Sequence, residues 1–280
     1  MRIIEVSTIT QSVKQMCIEA NLNLASDVTK ALQTYEMTEE SPIGKQILKD
    51  LLTNVKIAKE KQVPICQDTG MAVFFVEIGQ EVHFDGGYIE DAINEGVRQG
   101  YLEGFLRKSI VADPLRRVNT KDNTPAIVHY QMVLGDQVKI TFAPKGFGSE
   151  NMSRSKMLVP SEGRKGVVDF VLETVSLAGP NPCPPIVIGV GIGGTLEKAA
   201  IIAKKATARE IGLVNQDPYY EFLEKELLEK VNGLGIGPQG LGGTTTALAV
   251  HVETFATHIA GLPVVVNINC HAARHMTVIL

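Results

Sequence analysis

Three cysteines stand at the heads of Gly/Pro-rich segments: Cys66 in PICQDTG, Cys183 in NPCPPIVIG and Cys270 in VVVNINCHAARH. Thiolates drawn from three remote turns suit an iron-sulfur cluster, because a cubane held by only three cysteines leaves one iron open to substrate. The chemistry expected of such an iron is that of a Lewis acid. Structural zinc fits less well, since its ligands pair at roughly two- to four-residue spacing and no CxxC or HxxxH accompanies Cys66 or Cys183. His271 and His275 form an HxxxH, but at the chain end and without a partner motif. The fourth cysteine, Cys17, shares a helical face with Val13, Met16 and Ala20 and reads as a buried structural thiol.

Around the thiols lie loops fit to hold an anion. Gln67 to Gly70, Lys145 to Asn151, Asn181 to Pro185 and Gly235 to Gly243 are short and rich in glycine or proline, so backbone N–H groups can converge there, with Gly148 and Ser149 placed to grip a carboxylate. Arg107, at the end of a helical pattern, offers a planar fork matched to a carboxylate. A literal GxGxxG, Gly189 to Gly194, follows the apolar PPIVI and precedes LEKAAIIAKKA. A dinucleotide site also needs an acidic residue at the end of a second strand about 20 positions on, and Glu210 has the distance but no strand before it. The same glycines serve equally for close backbone approach or for an anion at a helix start.

The scaffold that must position these groups is ordinary in composition. At 280 residues, with 44% hydrophobic and 21% charged residues, the chain can bury a real core. A formal net charge of −4 argues against nucleic-acid binding and for small-molecule or protein partners. The N-terminus lacks a basic stretch followed by an apolar one, and no run of 18 or more apolar residues occurs, so a cytoplasmic protein without membrane contact is expected. Four scattered cysteines are too few for a disulfide framework.

Periodicity predicts helices over roughly 1–60, most clearly after Ser41-Pro42, where Ile47, Leu48, Leu51, Leu52 and Val55 recur on one face. MAVFFVEIG then reads as a buried strand, and YIEDAINEGVRQGYLEGFL as a helix. Two strands in PAIVHYQMV and QVKITF are expected to form a hairpin about Gly135-Asp136, followed by a loop in APKGFGSENMS. A helix from about Ser161 ends before Gly179-Pro180. Next come a strand before Gly194, a helix from about Thr195, a charged helix over Tyr219 to Lys230, and strands near ALAVHVE and PVVVNIN. Helices lead and strands are interspersed without steady alternation, which favours α+β over a doubly wound sheet. A single domain over 1–280 is expected, with a helical segment at about 1–60 and a cluster-binding core at about 61–280.

CQDTG, KGFGSENMS, NPCPPIVIGVGIGGT, LGIGPQGLGGTTTALAVHVE and HIAGLPVVVNINCHAARH, in that order, resemble the α subunit of class I iron-sulfur fumarase or L-tartrate dehydratase. The likeness runs from about residue 40 to the C-terminus. It implies that Cys66, Cys183 and Cys270 ligate a [4Fe-4S] cluster whose fourth iron binds the substrate's oxygens, and that the fold is the N-terminal-domain type of those enzymes. It implies reversible hydration of fumarate to L-malate, or dehydration of L-tartrate to oxaloacetate, with oxygen-sensitive activity. Asp68 and His258 are expected to pair in protonating the leaving hydroxyl, and Gln67, Arg107 and the Gly148 backbone to hold the substrate's carboxylates. Asn119 and Gln239 are expected to support loops. Single-chain relatives carry a further C-terminal domain with the catalytic base, so a separate β subunit is expected to complete the site, in an α2β2 assembly. The dinucleotide reading through Gly189 to Gly194 is the alternative from another class.

Overall fold

A short strand, β1 (Arg2–Glu5), precedes three helices, α1 (Val6–Leu22), α2 (Ser26–Thr38) and α3 (Pro42–Lys61). The Ser41 hydroxyl accepts the Gly44 N–H at 3.2 Å and Pro42 takes the first helical position, so α3 begins where the sequence places it. The sequence does not announce β1, nor, further along the chain, the strands Val82–Asp85, Arg154–Leu158 and Met276–Ile279 and the short helix Phe147–Glu150. In this computed structural model, which describes residues 1–280, the chain divides into two compact units. The first comprises Met1–Ala25, Val55–Phe147 and Arg274–Leu280, and the second Ser26–Asn54 and Gly148–Ala273.

The first unit carries β2 (Met71–Gly79), β3 (Val82–Asp85), α4 (Ile89–Glu103), β4 (Ile127–Val133), β5 (Val138–Lys145) and, at the chain end, β10 (Met276–Ile279). β1 pairs with β3, and a four-stranded sheet runs in the order β10-β5-β2-β4. Its apolar side packs Phe74 and Phe142, stacked with ring centroids 4.8 Å apart, into a core shared with Ile9, Val13 and Met16 of α1 and Ile93, Val97 and Tyr101 of α4. Cys17 is wholly buried in that core, as expected of a structural thiol.

The expected hairpin does not form. β4 and β5 are both present, yet β2 lies between them, parallel to β4 and antiparallel to β5. β2 is buried along most of its length and needs a partner on both edges, a demand that outweighs the local turn signal. The chain about Gly135 instead crosses the end of β2: Glu81 N–H donates to the Gly135 carbonyl at 3.0 Å, and Gly79 N–H to that of Gln137 at 2.8 Å. A Cβ on Gly79 would come within 2.4 Å of the Gly135 oxygen, so only glycine permits the crossing.

The second unit contains α5 (Phe147–Glu150) past its first residue, β6 (Arg154–Leu158), α6 (Gly163–Ala178), β7 (Ile186–Gly193), α7 (Leu196–Ala206), α8 (Pro218–Asn232), β8 (Ala247–Phe255) and β9 (Leu262–Asn269). Its sheet runs β6-β9-β7-β8. Alternation along β7 sorts its faces: Ile186, Ile188, Val190 and Ile192 join Val167, Val171, Leu223 and Leu227 in one core, while Gly189 and Gly191 face α7. A Cβ on either glycine would lie 2.0 Å from a helix carbonyl, that of Ala203 or Ala199. The glycines of the apparent dinucleotide fingerprint therefore lie within the strand and seat a helix on it, instead of forming a phosphate-binding turn. Helices and mixed sheets in this arrangement are α+β.

Candidate active site

In the first unit the segment after α3 carries Cys66, Gln67 and Asp68 into β2. Cys66 Sγ accepts the Asp68 N–H at 3.4 Å. The Asp68 carboxylate accepts N–H groups from Gly70 at 3.0 Å and Phe147 at 2.9 Å, which fixes its direction, while Gln67 is exposed. Buried Tyr101 donates its hydroxyl to the carbonyls of Thr69 at 2.8 Å and Gly70 at 2.9 Å, and burial pushes its phenol well above the ordinary range. Thr69 Oγ1 donates to the Arg107 carbonyl at 3.1 Å. Arg107, exposed, is thereby tied to the CQDTG turn. Asn119 donates its Nδ2–H to the neighbouring Lys108 carbonyl at 2.9 Å.

In the second unit Cys183 and Cys270 approach from opposite sides of one sheet end. β7 begins three residues after Cys183, and β9, whose Asn269 is in register with Val187, ends one residue before Cys270. His271 binds the Cys183 carbonyl through its backbone N–H at 3.4 Å, and its Nδ1 lies 3.0 Å from the same oxygen. Gln239 completes the junction, donating Nε2–H to the Pro184 carbonyl at 2.7 Å and lying 3.2 Å from His271 Nδ1. Cys183 is exposed at φ 54°, a left-handed conformation that costs about 1 kcal/mol or more for a residue with a side chain and so points to a constrained role. Gly148 is exposed, and a Cβ placed on it would lie 4.0 Å from the Asn181 carbonyl in the Cys183 turn. Glu150 salt-bridges Lys204 and accepts from Asn267 at 2.9 Å, anchoring the GSEN segment to α7 and β9. Glu39, almost fully buried, accepts the Thr244 N–H at 2.8 Å beside the glycine-rich loop. Burial raises its carboxyl, but hydrogen bonds from Thr245, Ser41 and Thr244 outweigh that and hold it below the ordinary range.

His258 is not brought to the thiols of its unit. It is exposed in the turn between β8 and β9, beyond Phe255, which is in register with Gly193 at the far end of β7 from Cys183. Eight strand residues at about 3.3 Å each separate the two ends by roughly 26 Å. Its position in sequence, twelve residues before Cys270, spans the length of β9, so nearness in sequence does not become nearness in space.

The donor set fits a cluster. None of the four cysteines is in a disulfide; Cys66 and Cys270 are half-buried and Cys183 exposed, whereas the thiol of buried Cys17 is pushed up by desolvation and suits no ligand role. Nowhere do three His, Cys, Asp or Glu side chains gather about one ion position. Soft thiolates in loop turns, one already receiving a backbone N–H, are the donors that iron-sulfur clusters use.

Comparison with known proteins gives the chain's family. The chain belongs to the fumarate hydratase (Fumerase) family, whose description matches residues 10–279. It is 46% identical over 272 residues to a Methanocaldococcus jannaschii protein named "Putative L(+)-tartrate dehydratase subunit alpha", covering 95% of each chain. It is 34% identical over 279 residues to "L(+)-tartrate dehydratase subunit alpha" of Escherichia coli K12, covering 98% of this chain and 91% of that one. The family is one of hydro-lyases. No helix is long and apolar enough to cross a membrane.

Proposed function

We propose that this chain is the α subunit of an iron-sulfur hydro-lyase that dehydrates L-tartrate to oxaloacetate, with a separate β subunit completing the active site. The observation that carries the reading is likeness along nearly the whole chain to proteins named as tartrate dehydratase α subunits. The family's own name favours a second substrate, fumarate, hydrated reversibly to L-malate.

In this reading residues 1–280 act as one α-subunit domain, and Cys66, Cys183 and Cys270 hold a [4Fe-4S] cluster. The bound cluster supplies an open Lewis-acidic iron for the substrate's hydroxyl and carboxylate oxygens. Asp68, its carboxylate aimed by the Gly70 and Phe147 N–H groups, carries the proton to the leaving hydroxyl. Gln67, Arg107 and the exposed Gly148 backbone orient the carboxylates. His258, a sheet length from Cys183 and Cys270, takes part only by reaching the site of another copy in an α2β2 assembly. We expect the protein to be cytoplasmic, where scattered cysteines stay reduced.

The test is anaerobic assay of the αβ complex with L-tartrate and with fumarate. Turnover of tartrate well above that of fumarate supports the first substrate and the reverse the second; activity with neither, in an iron-loaded complex, refutes the reading. A mixed assembly of Cys66→Ser and His258→Gln copies that regains activity places His258 across copies; no regain removes it from the scheme.

A further inference from the structure

Arg274 is 2% exposed and heads the largest fully buried side chains. Arginine cannot shed its proton, and burying a cation without a counter-charge costs several kcal/mol. Yet both partners of this guanidinium are uncharged: Nη1 donates to Asn21 Oδ1 at 2.7 Å and Nη2 to the Asp68 carbonyl at 2.8 Å. Nε has no partner, and no carboxylate pairs with it. The fold keeps a costly ion here for what it holds.

What it holds is the turn carrying Cys66. Asn21, at the end of α1, is fully buried, donates Nδ2–H to the Cys17 carbonyl at 2.9 Å and accepts the Ile65 N–H at its own carbonyl at 2.9 Å. The residue before Cys66 is thus fixed by the Asn21 backbone, and the residue two after it by Arg274, which the Asn21 side chain orients. Gly146 lies beside both charges: a Cβ there would stand 3.2 Å from Asp68 Oδ2 and 4.0 Å from Arg274 Nη2. The guanidinium and the Asp68 carboxylate accordingly flank Gly146 together.

We propose that Arg274 is a positioning residue for Cys66 and Asp68: with Asn21 it clamps the turn on both sides of the thiol. Only the activity of the assembled enzyme rests on the hydro-lyase reading; the clamp is tested without it. The experiment is alkylation of the cluster-free full chain with iodoacetamide, following each cysteine by mass spectrometry, in wild type, Arg274→Gln and Arg274→Lys. Losing the fork to the Asp68 carbonyl while keeping the cation, in Arg274→Lys, raises Cys66 labelling by roughly tenfold; Arg274→Gln also removes a cation that favours the thiolate, so its labelling rises less. Cys183 labelling stays unchanged and Cys17 stays protected. Low-millimolar guanidinium, far below denaturing levels, slows Cys66 labelling again in Arg274→Gln. If Arg274→Gln fails to fold, exposing Cys17 as well, Arg274→Lys decides, since it keeps charge and length but loses the fork. Faster Cys66 labelling in the folded lysine variant supports the clamp. Unchanged Cys66 labelling in the folded lysine variant, or equal acceleration at Cys66 and Cys183, overturns it. The hydro-lyase reading would survive that failure, because its own test is turnover by the wild-type complex.

Discussion

Replacing Gly191 by alanine puts a methyl group 2.0 Å from the Ala199 carbonyl oxygen and 2.8 Å from the Ala203 nitrogen. An ordinary C···O contact is about 3.3 Å or more, so β7 and α7 must separate by more than an ångström. The helix meets the sheet through Ala199, Ala203 and Ala206, all at 1% exposure or less, and has no longer side chain there to absorb the shift. Overpacking of this kind costs about 1–3 kcal/mol, and alanine returns about 0.4–1 kcal/mol by restricting the unfolded chain. A net loss of about 1.3 kcal/mol corresponds to a fall in Tm of roughly 2–4 °C for a chain of 280 residues. Circular dichroism melts of the cluster-free chain measure it. A melting temperature within 1 °C of wild type would refute the packing role of these glycines and reopen the nucleotide reading.

Burial pushes the Cys17 thiol up, so it stays protonated when folded and ionises near pH 8.5 when unfolded. Its contribution is complete below that pH and is lost as pH rises, at about 1.4 kcal/mol per unit; urea titrations at pH 8 and 10 should show Cys17→Ala losing that much less. Tyr101→Phe leaves the Thr69 and Gly70 carbonyls without their shared donor. It should lower stability by about 1–3 kcal/mol and reduce iron retained at Cys66, measured by urea unfolding and iron assay. Gln239→Leu should loosen the Cys183 turn and lower iron content with little change in Tm, because Gln239 is only half-buried.

The elements with strong period or punctuation were legible: α3 from its serine-proline start, β2 and β7 from unbroken apolar runs, α8 from its charge pattern. What the sequence hid was long-range. The Gly135 turn is real, but a hairpin signal is local and cannot weigh the demand of β2 for two partners. The thiols were legible because each heads a turn, and Cys17 because it sits on an apolar face. His258 lies a sheet length from Cys270 because twelve residues of strand and turn carry it away as easily as toward it. Arg274 and Asn21 carry no motif; a buried arginine four residues after a proposed ligand becomes visible only through its partners.

If this chain contributes a cysteine-held cluster to a two-subunit hydro-lyase, oxaloacetate formation from L-tartrate depends on both the β partner and Cys66. The measurement is made anaerobically on the α chain alone, on the complex with its β partner, and on the complex bearing Cys66→Ser. The account predicts turnover by the wild-type complex, little or none by the α chain alone, and loss of both iron and activity with Cys66→Ser. Full activity in the Cys66→Ser complex, or in an iron-free wild-type complex, would contradict it.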